Sequence, residues 1–302
     1  MRVNKFLAQM AVDWMDKDNR KRLKKVTPQQ GPNFTYDINY AGDKDFHHCF
    51  DLLKADDSKR LNRLFIDIHG GAYVFGIRKN NYPYASIFRE AGYDVAIADY
   101  DLVSQGVTVE NQIHDVAKML KYLHDHAAEL GIADDAFFIS GDSSGGHLSL
   151  LLGKAISDPK VASALGVDLD GVKASAVLVN CTAFDFTHIL GKGHCTKAAA
   201  LYIFGPRYQD EAWCDRFSPK TYLSSLRLPL FYSSCRNDPL LPETLKLQAA
   251  LKGLGIPNKY CYIDSPKKEI SHVHNISFPD YPESQQVNTA MMAFMAKYSA
   301  HK

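Results

Sequence analysis

Ser143, Asp238 and His272 combine the residue types and the chain order that covalent acyl transfer requires. Ser143 is the middle residue of a Gly-x-Ser-x-Gly stretch, which holds a serine on a tight turn between a strand and a helix. A serine hydroxyl is a weak nucleophile until a histidine accepts its proton, and a carboxylate must orient that histidine. The three residues therefore predict a nucleophile, an acid and a base. Taken alone, the same glycine-rich turn also suits phosphate binding or a purely structural role.

Two histidines compete for the role of base. Asp238 directly follows the apolar run at 230–232, and His272 follows the run at 260–263 and its loop. His274 stands two residues further on, and two such residues of an extended strand point to the same side. The residues by themselves therefore leave His272 and His274 both open.

A second glycine-containing loop predicts an oxyanion hole. Gly70 and Gly71 follow the apolar run at 64–68, and without side chains they let backbone N–H groups approach a substrate carbonyl oxygen closely. The N–H group of Ser144 is predicted to complete the hole from the serine turn. His69 is expected to orient the loop without acting as the base.

These residues are predicted to lie at one edge of a mostly parallel sheet. Apolar runs and helical patterns alternate along the chain, which is typical of a sheet covered by helices on both faces, with its chemistry at the carboxyl ends of strands. We predict strands at 64–68, 95–98, 137–139, 176–179, 230–232 and 260–263, and helices at 82–91, 109–130, 147–156, 242–254 and 284–298. Two alternating stretches, 34–38 and 46–50, predict antiparallel edge strands. His47 and His48 then point to opposite faces, which disfavours a shared metal.

The whole chain, 1–302, is predicted to form one domain with a helical cap. The first segment, to about residue 30, has the spacing of an amphipathic helix, and about 184–226 exceeds what one crossover helix needs. Both are predicted to cover the site and to supply the substrate pocket. Its predicted lining residues are Tyr73, Tyr202 and Phe204, together with Phe6 and Trp14.

Composition excludes several functional classes. The 35 basic and 34 acidic residues give a net charge of +1, which offers no global attraction for nucleic acid or an anionic membrane. No signal peptide or long apolar run predicts secretion or stable membrane insertion, and six cysteines lack metal-site spacing. We therefore expect a cytoplasmic protein that acts on a small-molecule ester and uses neither cofactor nor metal. The oligomeric state stays open, with a homodimer among the alternatives.

The sequence resembles the hormone-sensitive-lipase branch of the α/β-hydrolase esterases. The resemblance rests on His-Gly-Gly-Ala at 69–72, Gly-Asp-Ser-Ser-Gly-Gly at 141–146, Asp-Pro-Leu at 238–240 and His272, and it extends from about residue 64 to the end. It implies an α/β-hydrolase fold with a helical cap and a triad of Ser143, Asp238 and His272, with His272 preferred over His274. It also implies an oxyanion hole formed by Gly70, Gly71 and Ser144.

The predicted function is the hydrolysis of carboxylic esters with small or medium acyl groups through an acyl-enzyme intermediate. Two alternatives keep the same machinery but change the bond that is cleaved, giving an arylformamidase or an acetyl-sugar deacetylase. An alternative of another class is a non-catalytic homologue that binds a small molecule.

Overall fold

A single eight-stranded sheet organises the described part of the chain. The computed structural model describes residues 30–103, 106–135, 137–186 and 205–299. Its strands lie in the spatial order β1-β2-β4-β3-β5-β6-β7-β8. Their bounds are β1 Phe34–Asn39, β2 Cys49–Leu53, β3 Leu64–Ile68, β4 Asp94–Ala98, β5 Phe137–Asp142, β6 Ala174–Asn180, β7 Leu230–Cys235 and β8 Asn258–Ile263.

The predicted parallel sheet is confirmed from β4 to β8. β1, β2 and β4 pair antiparallel, and every later neighbouring pair is parallel. All five residues of β3 are buried, as expected for a strand covered on both faces. In β5, Phe137 and Ile139 pack into one apolar cluster while Phe138 packs into the opposite one, because successive side chains alternate between the faces.

Helices cover both faces of this sheet. α1 and α9 contribute to the apolar cluster that contains Phe138, and α2 and α4 contribute to the cluster that contains Ile139. The bounds are α1 Tyr82–Glu90, α2 Val109–Asp125, α3 Ala127–Leu130, α4 Ser143–Ser157, α5 Pro159–Leu165, α6 Glu211–Arg216, α7 Leu241–Leu251, α8 His274–Ser277 and α9 Pro282–Tyr298.

Two predicted elements were wrong in their extent. The single helix predicted at 109–130 is divided at His126, which separates α2 from α3. The strand predicted at 46–50 is a 3-10 turn at Phe46–His48 followed by β2, because the Asp45 side chain accepts a hydrogen bond from the backbone N–H of His47 and starts the turn. β2 also lies between β1 and β4 instead of at the edge.

Much of the predicted cap lies outside the described residues. From the two cap segments, the structure describes only residue 30, 184–186 and 205–226. The described part of the second segment contains α6 and two short 3-10 helices, Gly205–Gln209 and Leu223–Ser225. Within the described ranges, no helix is both long and apolar enough to cross a membrane.

Candidate active site

Ser143 lies at the turn between β5 and α4 in a strained backbone conformation. Its φ angle is 51°, in the left-handed region that residues with a β-carbon seldom adopt. The flanking glycines make the turn possible, since a β-carbon at Gly145 would lie 2.0 Å from the Ile68 carbonyl oxygen and one at Gly141 2.4 Å from the Gly145 carbonyl oxygen. This is the geometry of a nucleophile elbow.

The structure brings Ser143, His272 and Asp238 into one hydrogen-bonded line. His272 Nε2 lies 2.9 Å from Ser143 Oγ, and His272 Nδ1 lies 2.7 Å from Asp238 Oδ1. With the Nδ1 proton donated to Asp238, Nε2 is free to accept the serine proton. The His272 side chain is 30% exposed, so this line is open to solvent.

His274 takes no part in this arrangement. Its Nδ1 lies 3.0 Å from Ser284 Oγ, and its ring is buried. Burial lowers the pKa of His274 to about 4, so the ring is neutral at physiological pH. Val273, between the two histidines, has a φ angle of 51° and starts α8. The chain therefore turns at Val273, and the two rings diverge as they could not along one strand.

Asp238 is held in its ionised form. Burial alone would raise its pKa, but the hydrogen bond and the charge of His272, together with hydrogen bonds from Ser234 and Leu240, lower the pKa below its usual value. Ser234 Oγ donates to Asp238 Oδ2 at 2.7 Å, and the Leu240 N–H donates to Oδ1 at 2.9 Å. The sequence analysis missed Ser234, whose position in β7 directly before the loop of Asp238 was the available signal.

The Gly70 N–H, which is predicted to contribute to the oxyanion hole, has a different acceptor in the structure. This N–H donates to Asp142 Oδ1 at 2.9 Å, so the group is already used to fasten the loop to the serine turn. Gly70 is nevertheless required, because a β-carbon there would lie 2.3 Å from Asp142 Oδ2. Asp142 thus joins two loops that are 72 residues apart in the chain.

The N–H groups of Gly71 and Ala72 remain available in the same loop. Among the described residues, neither has a hydrogen-bond acceptor, and three consecutive residues have positive φ angles: 132° at Gly71, 50° at Ala72 and 69° at Tyr73. Successive N–H groups in such a turn converge to form an anion-binding nest. The N–H of Ser144 lies in the first turn of α4, where helical N–H groups have no partner within the helix. Ala72 was missed because its side chain carries no signal.

A buried pair of carboxyl groups, those of Asp67 and Asp142, lies next to the two loops. Asn81 Nδ2 donates to Asp67 Oδ2 at 2.8 Å and lies 3.3 Å from Asp142 Oδ1. Burial and the neighbouring Asp142 raise the pKa of Asp67 to about 7. Burial also raises the pKa of Asp142, although the Gly70 N–H opposes the shift. Asp67 is visible in the sequence within the run at 64–68, but its neighbours Asn81 and Asp142 are distant in the chain, so this network was not predicted.

His69 lies within the loop, and the contacts of its ring do not suit a catalytic base. Its Nδ1 lies 2.6 Å from the Gly70 carbonyl oxygen, its Nε2 lies 3.5 Å from Asp99, and its ring stacks on Tyr100 at 4.5 Å. Asp99 is also ion-paired with Arg78, which is fully buried. This buried ion pair joins the loop of His69 to the end of β4, in keeping with an orienting role.

The predicted pocket residues are only partly described. Tyr73 is buried, with its ring edge-on to His147 at 5.7 Å and to Phe186 at 6.0 Å. Burial lowers the pKa of His147 to about 3, so this ring acts as a neutral aromatic surface. The other predicted lining residues lie outside the described residues: Phe6, Trp14, Tyr202 and Phe204.

Three groups of side chains within the described residues have a spacing that could hold a metal ion. One consists of Cys181 with two members of the hydrogen-bonded line, Asp238 and His272. Burial and the nearby Asp238 charge raise the pKa of the Cys181 thiol well above its usual value, which keeps the thiol protonated and opposes metal binding there. The other two groups lie beside the 3-10 turn at Phe46–His48: Asp45, His47 and Asp101, and His48, Asp101 and Asp115.

Comparison with known proteins shows which family the chain matches. Residues 50–251, about two thirds of the chain, match the family described as BD-FAE. The chain is 28% identical over 184 residues to the probable carboxylic ester hydrolase LipM of Mycobacterium tuberculosis, covering 59% of this chain and 42% of LipM. It is 26% identical over 229 residues to the esterase LipQ of the same organism, covering 73% of this chain and 53% of LipQ. The chain thus spans about half the length of these relatives.

Solved structures show the same fold. Esterase B from Lactobacillus rhamnosis (HN001) superposes with a TM-score of 0.85 at 22% identity, covering 99% of this chain and 97% of that one. A bacterial heroin esterase superposes with a TM-score of 0.72 at 18% identity, covering 95% and 91%. The predicted α/β-hydrolase fold is therefore confirmed.

Proposed function

The chain belongs to the BD-FAE family, and from this membership and the site geometry we propose that it hydrolyses carboxylic esters through an acyl-serine intermediate. The observation that carries the proposal is the pair of contacts made by His272, 2.9 Å to Ser143 Oγ and 2.7 Å to Asp238 Oδ1. These are hydrogen-bond distances, so one imidazole can move a proton to or from the nucleophile while its orientation is held. The names of the related hydrolases LipM and LipQ support the same reaction.

The mechanism follows from where the protons can go. Ser143 Oγ attacks the ester carbonyl carbon as His272 Nε2 accepts the hydroxyl proton, and Asp238 stabilises the imidazolium that forms. The oxygen of the tetrahedral intermediate receives hydrogen bonds from the N–H groups of Gly71, Ala72 and Ser144. His272 then returns the proton to the leaving alkoxide. Water repeats the sequence on the acyl-serine and releases the acid.

Labelling of the serine tests this proposal directly. A fluorophosphonate probe should label folded wild-type protein at Ser143, and Ser143→Ala should abolish both labelling and ester hydrolysis. Ser144→Ala is the matched control, because the proposed role of Ser144 uses its backbone N–H and survives loss of the hydroxyl. Absence of labelling in folded wild-type protein, or equal turnover by Ser143→Ala, would refute the mechanism.

We further propose that the acyl group is small or medium in size. The support is the aromatic packing of Tyr73, His147 and Phe186 directly behind the oxyanion loop, which limits depth on that side. A series of p-nitrophenyl esters with about two to twelve acyl carbons measures this limit, and we expect kcat/KM to fall at the long end. Acetylated sugars and N-formylkynurenine in the same assay test the deacetylase and arylformamidase alternatives, for which turnover above that of the simple esters is required.

A further inference from the structure

A second histidine–aspartate group lies beside the catalytic loops, and the proposed ester hydrolysis does not use it. We call it the His48 cluster: His48, Asp101 and Asp115, with Asp43 behind the histidine. His48 lies in the 3-10 turn before β2, Asp101 in the loop after β4, and Asp115 in α2. The side chains of His48, Asp101 and Asp115 are 14%, 19% and 6% exposed, so the group is largely shielded from water.

The contacts of His48 Nε2 are too long for hydrogen bonds. It lies 3.5 Å from Asp101 Oδ1 and 3.8 Å from Asp115 Oδ1, whereas N–H···O hydrogen bonds span roughly 2.7–3.2 Å. The Nε2 atom is buried and has no hydrogen-bond partner among the described residues. Two ligand atoms on one tetrahedral Zn²⁺, each about 2.0–2.2 Å from the ion, lie roughly 3.3–3.6 Å apart. The Asp101 separation falls within this range, and the Asp115 separation exceeds it by about 0.2 Å.

Asp115 supplies the second indication that this group suits a cation. Its side chain is 6% exposed, and its carboxyl accepts only a long hydrogen bond among the described residues, from the Asp101 N–H to Oδ2 at 3.4 Å. The nearest cationic atoms are His48 Nε2 and Lys118 Nζ, both at 3.8 Å, and the Lys118 side chain is 59% exposed. A buried carboxylate normally finds a close partner or coordinates a metal.

Asp43 turns His48 toward this gap. Its Oδ2 lies 2.6 Å from His48 Nδ1, so the proton of a neutral His48 sits on Nδ1 and the lone pair sits on Nε2. A carboxylate that accepts the far N–H of a metal-binding histidine is the common arrangement in protein metal sites, because it holds the ring orientation and strengthens the donor nitrogen.

We propose that His48, Asp101 and Asp115 bind one divalent metal ion, with Zn²⁺ as the best match. One imidazole nitrogen and two carboxylate oxygens form a donor set that zinc accepts, and a fourth position is left for water. The site fastens the turn before β2 to the loop after β4 and to α2. Its role is structural, since it stands apart from Ser143 and the proposed hydrolysis needs no metal.

The site has a direct connection to the catalytic loop. Gln112 Nε2 donates to the Asp101 carbonyl oxygen at 2.7 Å and to the Tyr73 carbonyl oxygen at 2.8 Å. Tyr73 directly follows the residues proposed to hold the oxyanion. An ion that fixes Asp101 therefore also restrains the backbone next to the oxyanion hole.

Calorimetric titration with ZnCl₂ after removal of metal with a chelator tests the proposal on the full chain. We expect one saturable site and a rise in the thermal unfolding midpoint when zinc is present, because zinc binds the folded state. His48→Asn and Asp115→Asn should each abolish the site and the thermal shift. Asp43→Ala should weaken binding by about 10- to 100-fold, as expected when only the supporting hydrogen bond is lost.

Matched controls separate this site from its neighbours. His47→Asn removes the adjacent histidine, which belongs to the group with Asp45, and Cys181→Ser removes the thiol beside the catalytic line; both variants should keep the site. Absence of saturable binding to wild-type protein would overturn the proposal and leave His48 as an imidazolium paired with carboxylates. Binding that persists in folded His48→Asn, or that disappears in His47→Asn or Cys181→Ser, would overturn it equally.

Discussion

The chain carries two clusters in which a histidine faces aspartates, and their spacing separates their chemistry. His272 has both ring nitrogens at hydrogen-bond distance from partners, 2.9 Å and 2.7 Å. His48 has one nitrogen at 2.6 Å from Asp43, and the other is 3.5 Å and 3.8 Å from two carboxylates. Differences of about 1 Å thus separate a group arranged to move a proton from one arranged to share a cation.

The hydrogen bonds around the aspartates also differ between the two clusters. Asp238 receives hydrogen bonds from Ser234 and from the Leu240 N–H as well as facing His272, so its charge is satisfied without any further ion. Asp115 is buried to a similar degree but has one oxygen without a donor among the described residues. Residue type is therefore a poor guide to the role of a histidine–aspartate pair, and the hydrogen bonds around the carboxylate decide it.

The largest effect is expected when His272 and His48 are each replaced by alanine in separate variants. His272→Ala should lower kcat/KM for a short ester by about 10⁴-fold, because the serine loses its base. His48→Ala should lower it by no more than about tenfold while removing zinc binding, since the ring acts at a distance from the reacting atoms. Steady-state kinetics and zinc titration on both variants check this. An equal loss of kcat/KM in the two variants would contradict the different roles of the two histidines.

His274→Ala is the control within the same loop. Its ring contacts Ser284 in the core, so the variant should lose stability while keeping most of the activity per folded molecule. A loss of activity comparable with that of His272→Ala would leave both His272 and His274 open as the base.

A smaller effect is expected where Asp142 fastens the oxyanion loop. Asp142→Ala removes the acceptor of the Gly70 N–H, and the loop is then free to shift relative to Ser143. We expect kcat to fall by about 10- to 100-fold with a smaller change in KM, because misplacement of about 1 Å has that order of cost. Asp142→Asn retains an oxygen acceptor and should recover most of the activity. Failure of this rescue would show that the charge, and not the tether, is what matters.

The smallest effect concerns stability and pH. Folded Asp67 keeps its proton up to about pH 7, whereas in the unfolded chain it ionises near pH 4. The folded state binds more protons between these values, so this group lowers the free energy of unfolding as pH rises through that window. Asp67→Asn cannot ionise and should raise the unfolding midpoint at pH 8 by more than at pH 5. Thermal melts at both pH values check this, and an equal shift at the two would contradict it.

The central strands could be predicted because their signal is local. The run at 137–139 is apolar along its whole length and the run at 64–68 is apolar except at Asp67, as is typical of strands buried on both faces. The turn at Phe46–His48 could not be predicted from the alternation of its side chains, because the Asp45 cap competes with strand formation there. The acceptor of the Gly70 N–H could not be predicted for a similar reason: the sequence shows that a glycine is needed but not the direction in which its N–H points.

What the sequence determined by itself was the serine turn, the glycine loop and the presence of an acid and a base in the right order. Each depends on short motifs whose backbone requirements are local. The tertiary structure decided which histidine lies beside Ser143, because the backbone turns at Val273 and His274 packs in the core. It also decided the His48 cluster, whose members come from three segments that meet only when β2, β4 and α2 pack together.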